Sequence, residues 1–274
     1  MEKKVILITG ASAGIGKATA LQLINEGHTV YGAARRLDQM KDLEEAGGHA
    51  IKMDVLEEDQ MQMGVNQILE KEGRIDVLVN NAGYAVYGSV EDIIIDEARR
   101  QFEVNIFGLA RLTQMVLPHM REKKSGTIIN ISSIGGKIFT PLGAWYHATK
   151  HALEGWSDCL RMEVEQFGIN VVIIEPGAIK TEFMDVMNQP MLDRSANGPY
   201  EALAKAVDKA GNEAYTKKGR HSGPEVIAKT ISKAISANKP NTRYASGAMA
   251  GMLLFMRKWL SDRGFQKVLM SQMK

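Results

Sequence analysis

Short apolar runs alternate along the chain with longer segments in which apolar residues recur at helical spacing. The short runs are rich in Val and Ile and lie at residues 5–8, 29–33, 50–55, 75–80, 127–132 and 170–175. Helical periodicity covers, for example, residues 15–25 and 39–46. This alternation predicts an α/β fold in which a doubly wound parallel sheet lies between two layers of helices. Because right-handed crossovers bring the carboxyl ends of the strands to one edge, we expect the functional residues there.

We expect a single domain over residues 1–274, because the chain shows no Gly/Ser-rich or Pro-rich linker and no repeat of fixed period. The last helix of the sheet region is predicted to begin near Pro224, with the Ser222 hydroxyl as its cap. The less regular stretch before it, residues 182–223, has helical pieces with polar breaks and is predicted to form a helical lid over a substrate. A C-terminal segment follows over residues 242–274.

Charge and cysteine content narrow the choice of partner and compartment. The 34 Lys and Arg residues nearly balance the 32 Asp and Glu residues, and they are scattered, so we expect no nucleic-acid partner. The first apolar run covers only residues 5–8 before Thr9 and Gly10 break it, which is too short for a signal peptide and predicts a cytoplasmic protein. The apolar stretch 248–256 ends at Arg257 and is too short to span a membrane. The single cysteine, Cys159, lies on a predicted helix face and is interpreted as a small core residue.

A glycine-rich turn follows the first run, with the sequence Thr9-Gly10-Ala11-Ser12-Ala13-Gly14-Ile15-Gly16 ahead of a helix. Glycines at these positions let the backbone turn tightly and approach a pyrophosphate, which the N–H groups at the helix N-terminus then bind. Tight turns need glycine in any protein, but the position between a first strand and a first helix favours a Rossmann-type dinucleotide site. The predicted contacts are Gly10, Ser12, Gly14, Ile15 and Gly16.

The second run is followed by Arg35 and Arg36, where an NAD-binding domain usually offers an acidic residue to the adenosine ribose. A guanidinium binds a 2′-phosphate through paired charge-assisted hydrogen bonds, so NADP(H) is predicted as the cofactor. Arg35 is the expected main ligand, and Lys17 could add a second positive charge. The alternative is a pair of solvated arginines at a helix start.

Three side chains predict acid–base chemistry. Tyr146 and Lys150 are four residues apart in a predicted helix and therefore share one face. A phenol with a pKa of about 10 is a poor base near neutrality, but an adjacent ammonium group favours the phenolate. Ser133 would hold the substrate oxygen beside the Tyr146 hydroxyl, with Ser132 as its competitor. Taken alone, a Tyr–Lys pair at this spacing is most often two surface neighbours.

These segments together resemble the short-chain dehydrogenase/reductase family, whose glycine turn is TGxxxGxG and whose catalytic helix carries YxxxK. The resemblance covers residues 5–181 and implies hydride transfer between NADP(H) and a carbonyl or alcohol carbon, with Tyr146 and Ser133 contacting the substrate. It also implies that Asn105 completes the relay by holding a water that links Lys150 to solvent. Further cofactor contacts implied by the resemblance, besides Tyr146 and Lys150, are Asp54, Val55, Asn81, Ala82, Gly83, Pro176, Gly177, Ile179 and Thr181.

Some of these residues have structural alternatives. Asp54 could cap the next helix, and Asn105 could be an ordinary polar residue that kinks a helix. His147 and His151 stand at helical spacing, but without a third ligand we expect hydrogen-bonded histidines and no metal. For the whole chain, the alternative is a catalytically silent NADP-binding regulator or redox sensor. The presence of the complete catalytic set favours the enzyme.

The substrate is predicted only as a class. Residues 84–87, 134–142 and 184–191, with Trp145, would line an apolar pocket suited to a lipophilic carbonyl or alcohol compound, although the same residues could be core. The C-terminal segment, from residue 242 onward, is similar to the branch of the family that contains steroid- and retinoid-type dehydrogenases.

The predicted assembly follows from the resemblance, because the family commonly pairs two long helices, here residues 101–121 and 146–167, into a homodimer or homotetramer. Apolar residues from Met249 to Leu260 recur at helical spacing beside basic residues. Such a helix could lie on a membrane surface as a peripheral contact, but it more often closes a pocket or a subunit contact.

Overall fold

The structure, a computed structural model, describes residues 2–217 and 219–273, apart from the side chains of Asp185 and Tyr215. The strands in these residues are β1 Val5–Thr9, β2 Thr29–Ala34, β3 His49–Lys52, β4 Val77–Asn80, β5 Gly126–Ile131, β6 Ile169–Pro176 and β7 Arg243–Ser246. The α-helices are α1 Gly14–Asn25, α2 Lys41–Glu45, α3 Glu58–Glu72, α4 Ile95–Phe102, α5 Leu109–Lys123, α6 Ala144–Val164, α7 Phe183–Ser195, α8 Glu201–Thr216, α9 Glu225–Ser236, α10 Ala250–Trp259 and α11 Asp262–Ser271.

All neighbouring strands pair in parallel, in the order β3-β2-β1-β4-β5-β6-β7. Side chains alternate between two cores, one on each face of the sheet: in β1, Val5 and Leu7 pack into one, and Ile6 and Ile8 into the other. Helices must cover both faces, because a strand that is apolar at every position exposes hydrophobic surface on either side. The predicted three-layer, single-domain fold is confirmed.

One strand was predicted with the wrong end, and one strand was missed. The strand β3 ends at Lys52 instead of continuing to residue 55. The Asp54 carboxylate accepts the N–H of Leu56 at 3.1 Å, which turns the chain out of the sheet. The edge strand β7 was not predicted, because its four residues are all at least partly exposed and show no apolar alternation.

Two further local predictions were corrected. The helix α9 follows Pro224 as expected, but the Ser222 hydroxyl does not cap it. That hydroxyl instead accepts the N–H of Ala248 at 3.0 Å and ties the C-terminal segment to the sheet region. Cys159 is exposed on α6, so it is not a core residue. Its helix buries the neighbouring positions Ser157 and Leu160, and Cys159 faces away from that side.

The predicted lid segment contains α7 and α8. Met187 and Met191 of α7 share a buried cluster with Tyr87 and Tyr146, so these helices lie over the edge of the sheet where the predicted catalytic tyrosine is found. The function of the segment as a lid stays a prediction. Among the residues that the structure describes, no helix is both long and apolar enough to cross a membrane.

Candidate active site

A cleft of about 830 Å³ opens at the carboxyl edge of the sheet, where strand order reverses between β1 and β4. In an open parallel sheet such a switch point is the expected ligand site. The walls contain every predicted cofactor residue except Gly16 and every predicted catalytic residue except Asn105. Residues that are far apart in the sequence, from Gly10 to Thr181, are therefore brought together.

The glycine turn forms the floor of the cleft. Gly10 and Gly14 have φ angles of +67° and +55°, which side chains rarely tolerate. Gly16 does not border the cleft, but its place requires glycine because a Cβ there would lie 2.5 Å from Asn81 Nδ2 and still closer to the Gly10 carbonyl. The absence of a side chain thus lets α1 begin directly against the turn, and its first two residues, Gly14 and Ile15, border the cleft.

Thr9 connects this turn to the loop after β4, and the sequence analysis gave it no role. Its hydroxyl accepts the N–H groups of Asn81 and Ala82, each at 3.0 Å. The Asn81 side chain donates back to the carbonyl groups of Thr9 at 2.9 Å and Gly10 at 3.2 Å. These four bonds hold two of the predicted cofactor-binding segments in one arrangement.

At the far end of the cleft lie Arg35 and Arg36. Arg36 reaches Ser12 Oγ at 3.5 Å and the Glu182 carboxylate at 3.8 Å, across the cleft mouth. Lys17 does not border the cleft: its ammonium donates to the carbonyl of Gln39 at 3.1 Å and lies 2.8 Å from the carboxylate of Asp42. Gln39 follows Arg36 by three residues, so a second positive charge from Lys17 stays a prediction.

The side chain of Asp54 forms part of the cleft wall rather than a helix cap. The N-cap of α3 is Glu57, three residues further along the chain. The main chain of Asp54 is fixed by the Gln60 side chain, which accepts its N–H at 2.9 Å. The capping alternative for Asp54 is thus excluded.

Tyr146 and Lys150 lie on the first turns of α6 and both face the cleft. Lys150 Nζ is 5.9 Å from the centre of the Tyr146 ring and donates to the Ile131 carbonyl at 2.9 Å. Burial lowers the pKa of Lys150 to about 8, although the carboxylate of Glu154 acts in the opposite direction. The two side chains therefore adjoin, as their spacing predicts, and are not surface neighbours.

Ser133 follows β5 and borders the cleft beside Tyr146. Its hydroxyl accepts the N–H of Gly135 at 3.0 Å, which orients it at the start of a short 3₁₀ turn. His147 holds the same turn: its Nδ1 lies 2.8 Å from the Gly135 carbonyl, and its Nε2 accepts the Thr140 N–H at 3.0 Å. Burial lowers the pKa of His147, so it is a neutral, hydrogen-bonded histidine.

Asn105 lies behind the cleft in a π-helical segment, Glu103–Gly108. Its side-chain oxygen accepts the N–H of Tyr84 at 3.1 Å. Its amide donates to the Tyr84 carbonyl at 3.0 Å and to Thr149 Oγ1 at 3.1 Å. Asn105 thus joins the loop after β4 to the helix that carries Tyr146, and both its polar atoms are used in doing so.

The substrate side of the cleft is only partly as predicted. Residues 84–87 and much of α7 form its apolar wall, but residues 134–142 and Trp145 do not border it. Ile134 and Ile138 pack instead under the C-terminal helices. Charged side chains that the sequence analysis missed also border this side, and they are Glu97, Arg100 and Arg194.

Comparison with known proteins agrees with this geometry. A family model described as short chain dehydrogenase matches residues 4–192. The chain is 35% identical over 271 residues to a Bacteroides thetaiotaomicron protein named 3-ketodihydrosphingosine reductase, covering 98% of this chain and 97% of that protein. It is 32% identical over 280 residues to a protein of Ornithobacterium rhinotracheale named NADPH-dependent 3-dehydrocapnine reductase, with 98% and 96% covered.

Among solved structures, a short-chain dehydrogenase from Streptomyces avermitilis superposes with a TM-score of 0.83 at 34% identity. The superposition covers 98% of this chain and 96% of that one. The fold is thus that of the family. The chain belongs to the short-chain dehydrogenase family and is an oxidoreductase acting on CH–OH or C=O groups.

Proposed function

We propose that this protein is an NADPH-dependent reductase of a lipophilic ketone. The observation that carries the proposal is a single cleft that has two arginines at one end and the Ser133, Tyr146 and Lys150 side chains at the other. A positive charge suits a phosphate, and a buried phenol beside an ammonium group suits proton transfer.

The cleft fits NADP(H) along its length. At the glycine turn the main chain itself borders the cleft, where a pyrophosphate could approach its N–H groups, and at Gly14 a Cβ would already lie 3.3 Å from the methyl group of Thr181. Arg35 and Arg36 would hold the 2′-phosphate. Residues at the end of β6 would hold the carboxamide of the nicotinamide, and those that border the cleft are Pro176, Gly177, Ile179 and Thr181.

The chain's own residues then manage the substrate oxygen, while bound NADPH supplies the hydride. Ser133 and Tyr146 bind the carbonyl oxygen, and the Tyr146 hydroxyl gives its proton to that oxygen as negative charge develops there. The ammonium of Lys150 stabilises the phenolate that is left. Asn105 acts as a positioning residue through Tyr84 and Thr149, and a water-holding role for it stays a prediction.

Replacing Tyr146 with Phe tests this mechanism. We expect the ketone reduction rate to fall by about a hundredfold or more, with NADPH binding retained, because proton transfer from a positioned group contributes that much. A variant with full activity would refute the role of Tyr146. If no ketone in a broad panel were reduced despite tight NADPH binding, the alternative of a catalytically silent regulator would be favoured.

The preference for NADPH is tested by Arg35→Ala, with Arg111→Ala as the control because Arg111 is exposed outside the cleft and pairs with Glu58. A charge-assisted pair contributes about 1.5–3 kcal/mol, so the KM for NADPH should rise roughly tenfold to a hundredfold in Arg35→Ala. The KM for NADH should hardly change. An equal effect on both cofactors would show that Arg35 does not read the 2′-phosphate.

The lipophilic class of substrate is supported by the apolar wall around Tyr87, Met187 and Phe183. The ring centre of Phe183 is 5.7 Å from the ring centre of Tyr146, so this wall adjoins the predicted proton donor. The names of the two relatives point to 3-oxo compounds with long alkyl chains, and we extend this class to the present chain. A panel of 3-ketones of increasing chain length tests it: kcat/KM should rise with length, and a preference for the shortest would contradict the proposal.

A homodimer or homotetramer is also proposed. Phe107, in the π-helical segment before α5, and Met162, on α6, are large apolar side chains that are 55% and 72% exposed. They lie in the two ranges that the resemblance predicts to pair, residues 101–121 and 146–167. Sedimentation equilibrium of the wild type and of Phe107→Ser should show association that the substitution weakens.

A further inference from the structure

The helix α10 presents a second apolar side to solvent. Its inner side packs onto the turn after Ser133, where Leu253, Leu254 and Met256 surround buried residues such as Ile138. On the outer side, three large side chains are mostly exposed: Met252 at 53%, Phe255 at 65% and Trp259 at 68%. At 100° per residue they fall within an arc of about 60°. We call these three side chains, together with the exposed basic residues Lys258, Arg263 and Lys267, the C-terminal surface.

Basic residues adjoin this apolar stripe. Residues 250–273 carry four basic side chains and one acid, a net charge of +3, although the whole chain has a net charge of only +2. The acid, Asp262, pairs with Arg257 at 2.9 Å. This leaves Lys258, Arg263 and Lys267 exposed, and Lys258 Nζ is 5.6 Å from the centre of the Trp259 ring.

The charge argues for one occupant of this surface over the others. A second copy docked on a twofold axis would bring the same three cations against each other, which opposes association. An anionic bilayer offers the complementary charge, and aromatic side chains beside Lys and Arg are typical of helices that lie in the membrane interface. Because residues 250–273 contain a single acidic side chain, the segment has little negative charge that an anionic bilayer would repel.

The position of this surface connects it with the cleft. The inner side of α10 packs onto residues 134–138, directly after Ser133. After α11, Met273 packs against the buried cluster that contains Tyr146 and Met187 of the lid region. The two C-terminal helices therefore stand next to the substrate side of the cleft, away from the arginines at its other end.

We propose that the C-terminal surface docks the protein onto anionic lipid bilayers, with Phe255 and Trp259 inserted at the headgroup level and Lys258, Arg263 and Lys267 contacting lipid phosphates. Docking places the substrate side of the cleft at the bilayer, so that a lipophilic ketone can enter it from the lipid. This last step rests on the proposed function, whereas the docking itself does not.

Vesicle sedimentation tests the docking. The full chain is mixed with vesicles of phosphatidylcholine alone or with about one third phosphatidylglycerol. Binding should require the anionic lipid and fall at least tenfold as salt is raised from about 0.05 M to 0.5 M, because three cations contribute. The emission of Trp259 should shift to shorter wavelength on binding. Equal binding to both vesicle types, or none to either, would overturn the proposal.

Three variants separate the contributions. The double substitution Phe255→Gln and Trp259→Gln should lower vesicle binding at least tenfold, and so should charge reversal by Lys258→Glu with Lys267→Glu. The control is Met63→Gln, which removes a comparably exposed apolar side chain, 63% exposed, from α3 and should bind as the wild type does. If Met63→Gln lost binding to the same extent, the attraction would be non-specific and the proposal wrong.

Two readouts distinguish other outcomes. If the wild type were an oligomer that Phe255→Gln with Trp259→Gln dissociated, without any vesicle binding, the surface would be a subunit contact and the proposal would be wrong. Reduction of a short, water-soluble ketone should be unchanged in the variants, while reduction of a vesicle-borne ketone should fall. Vesicle binding without reduction of any ketone would refute the proposed function but leave the docking proposal intact.

Discussion

The side chain of Arg243 projects from the edge strand β7 into a group of buried carboxylates, and its loss should destabilise the fold. Its Nε lies 3.0 Å from Glu154 Oε2 and 3.6 Å from Glu175 Oε1, and a terminal nitrogen donates to Asp158 at 2.6 Å. Glu154 is only 3% exposed and Glu175 only 4%. Burial, followed by the charge of Glu154, raises the pKa of Glu175. The substitution Arg243→Met would fill similar space but remove the counter-charge.

The expected cost can be bounded from these contacts. Removing one partner of a buried ion pair costs about 3–5 kcal/mol, because the remaining charge is left without compensation. Lys137 still contacts Glu154 at 3.0 Å, so we expect the lower end of that range, about 3 kcal/mol. In a chain of this size each kcal/mol lowers Tm by about 2–4 °C, which predicts a fall of roughly 6–12 °C.

The matched control is Arg161→Met. Arg161 also pairs with Asp158, at 3.2 Å, but both side chains are about one third exposed. Solvent screening limits such a pair to about 0–1 kcal/mol, so the control should lose at most a few degrees. The assay is thermal unfolding followed by circular dichroism, with urea unfolding as a second measure.

Two results would refute the reasoning about Arg243. One is a Tm in Arg243→Met no lower than in Arg161→Met. The other result concerns pH. The hydrogen bond from Arg243 lowers the pKa of Asp158. The stabilisation of the fold by this pair is therefore present above the ordinary pKa of Asp and is lost as pH falls through the lowered pKa of the folded state. The difference between wild type and Arg243→Met should therefore narrow below about pH 4, and a difference that widened there would contradict the assignment.

Three other predictions concern the cleft. Gly16→Ala should weaken NADPH binding at least tenfold by calorimetry, because its Cβ would collide with Asn81, whereas Gly155→Ala, with open space around it, should bind normally. Because the pKa of Lys150 is lowered to about 8, kcat for ketone reduction at saturating NADPH should fall as pH rises through that value, and a flat profile would contradict its role. Asn105→Ala loses three hydrogen bonds and should lower kcat roughly tenfold and Tm by several degrees, while the KM for NADPH stays within about twofold.

The sequence by itself determined the architecture and most of the cleft. A parallel strand buried on both faces is apolar at nearly every position, so the runs at residues 5–8 and 170–175 could be recognised without knowing which strands pair with them. The glycine turn and the spacing of Tyr146 and Lys150 are local patterns whose geometry is set by a tight turn and by one turn of a helix. Such features depend on neighbours along the chain, and they were predicted correctly.

Only the tertiary structure decided which surfaces those elements meet. The run from Ile134 to Leu142 is equally apolar whether it faces a substrate or the C-terminal helices, and the fold places its first part under α10. The sequence neighbours of Arg243 say nothing of Glu154, 89 residues away, which it binds. Cys159 and the side chains of Met252, Phe255 and Trp259 are of types usually found in a core, but in this fold they face solvent. Burial and ion pairing between distant segments depend on how helices dock onto the sheet, and periodicity along the chain carries no record of that docking.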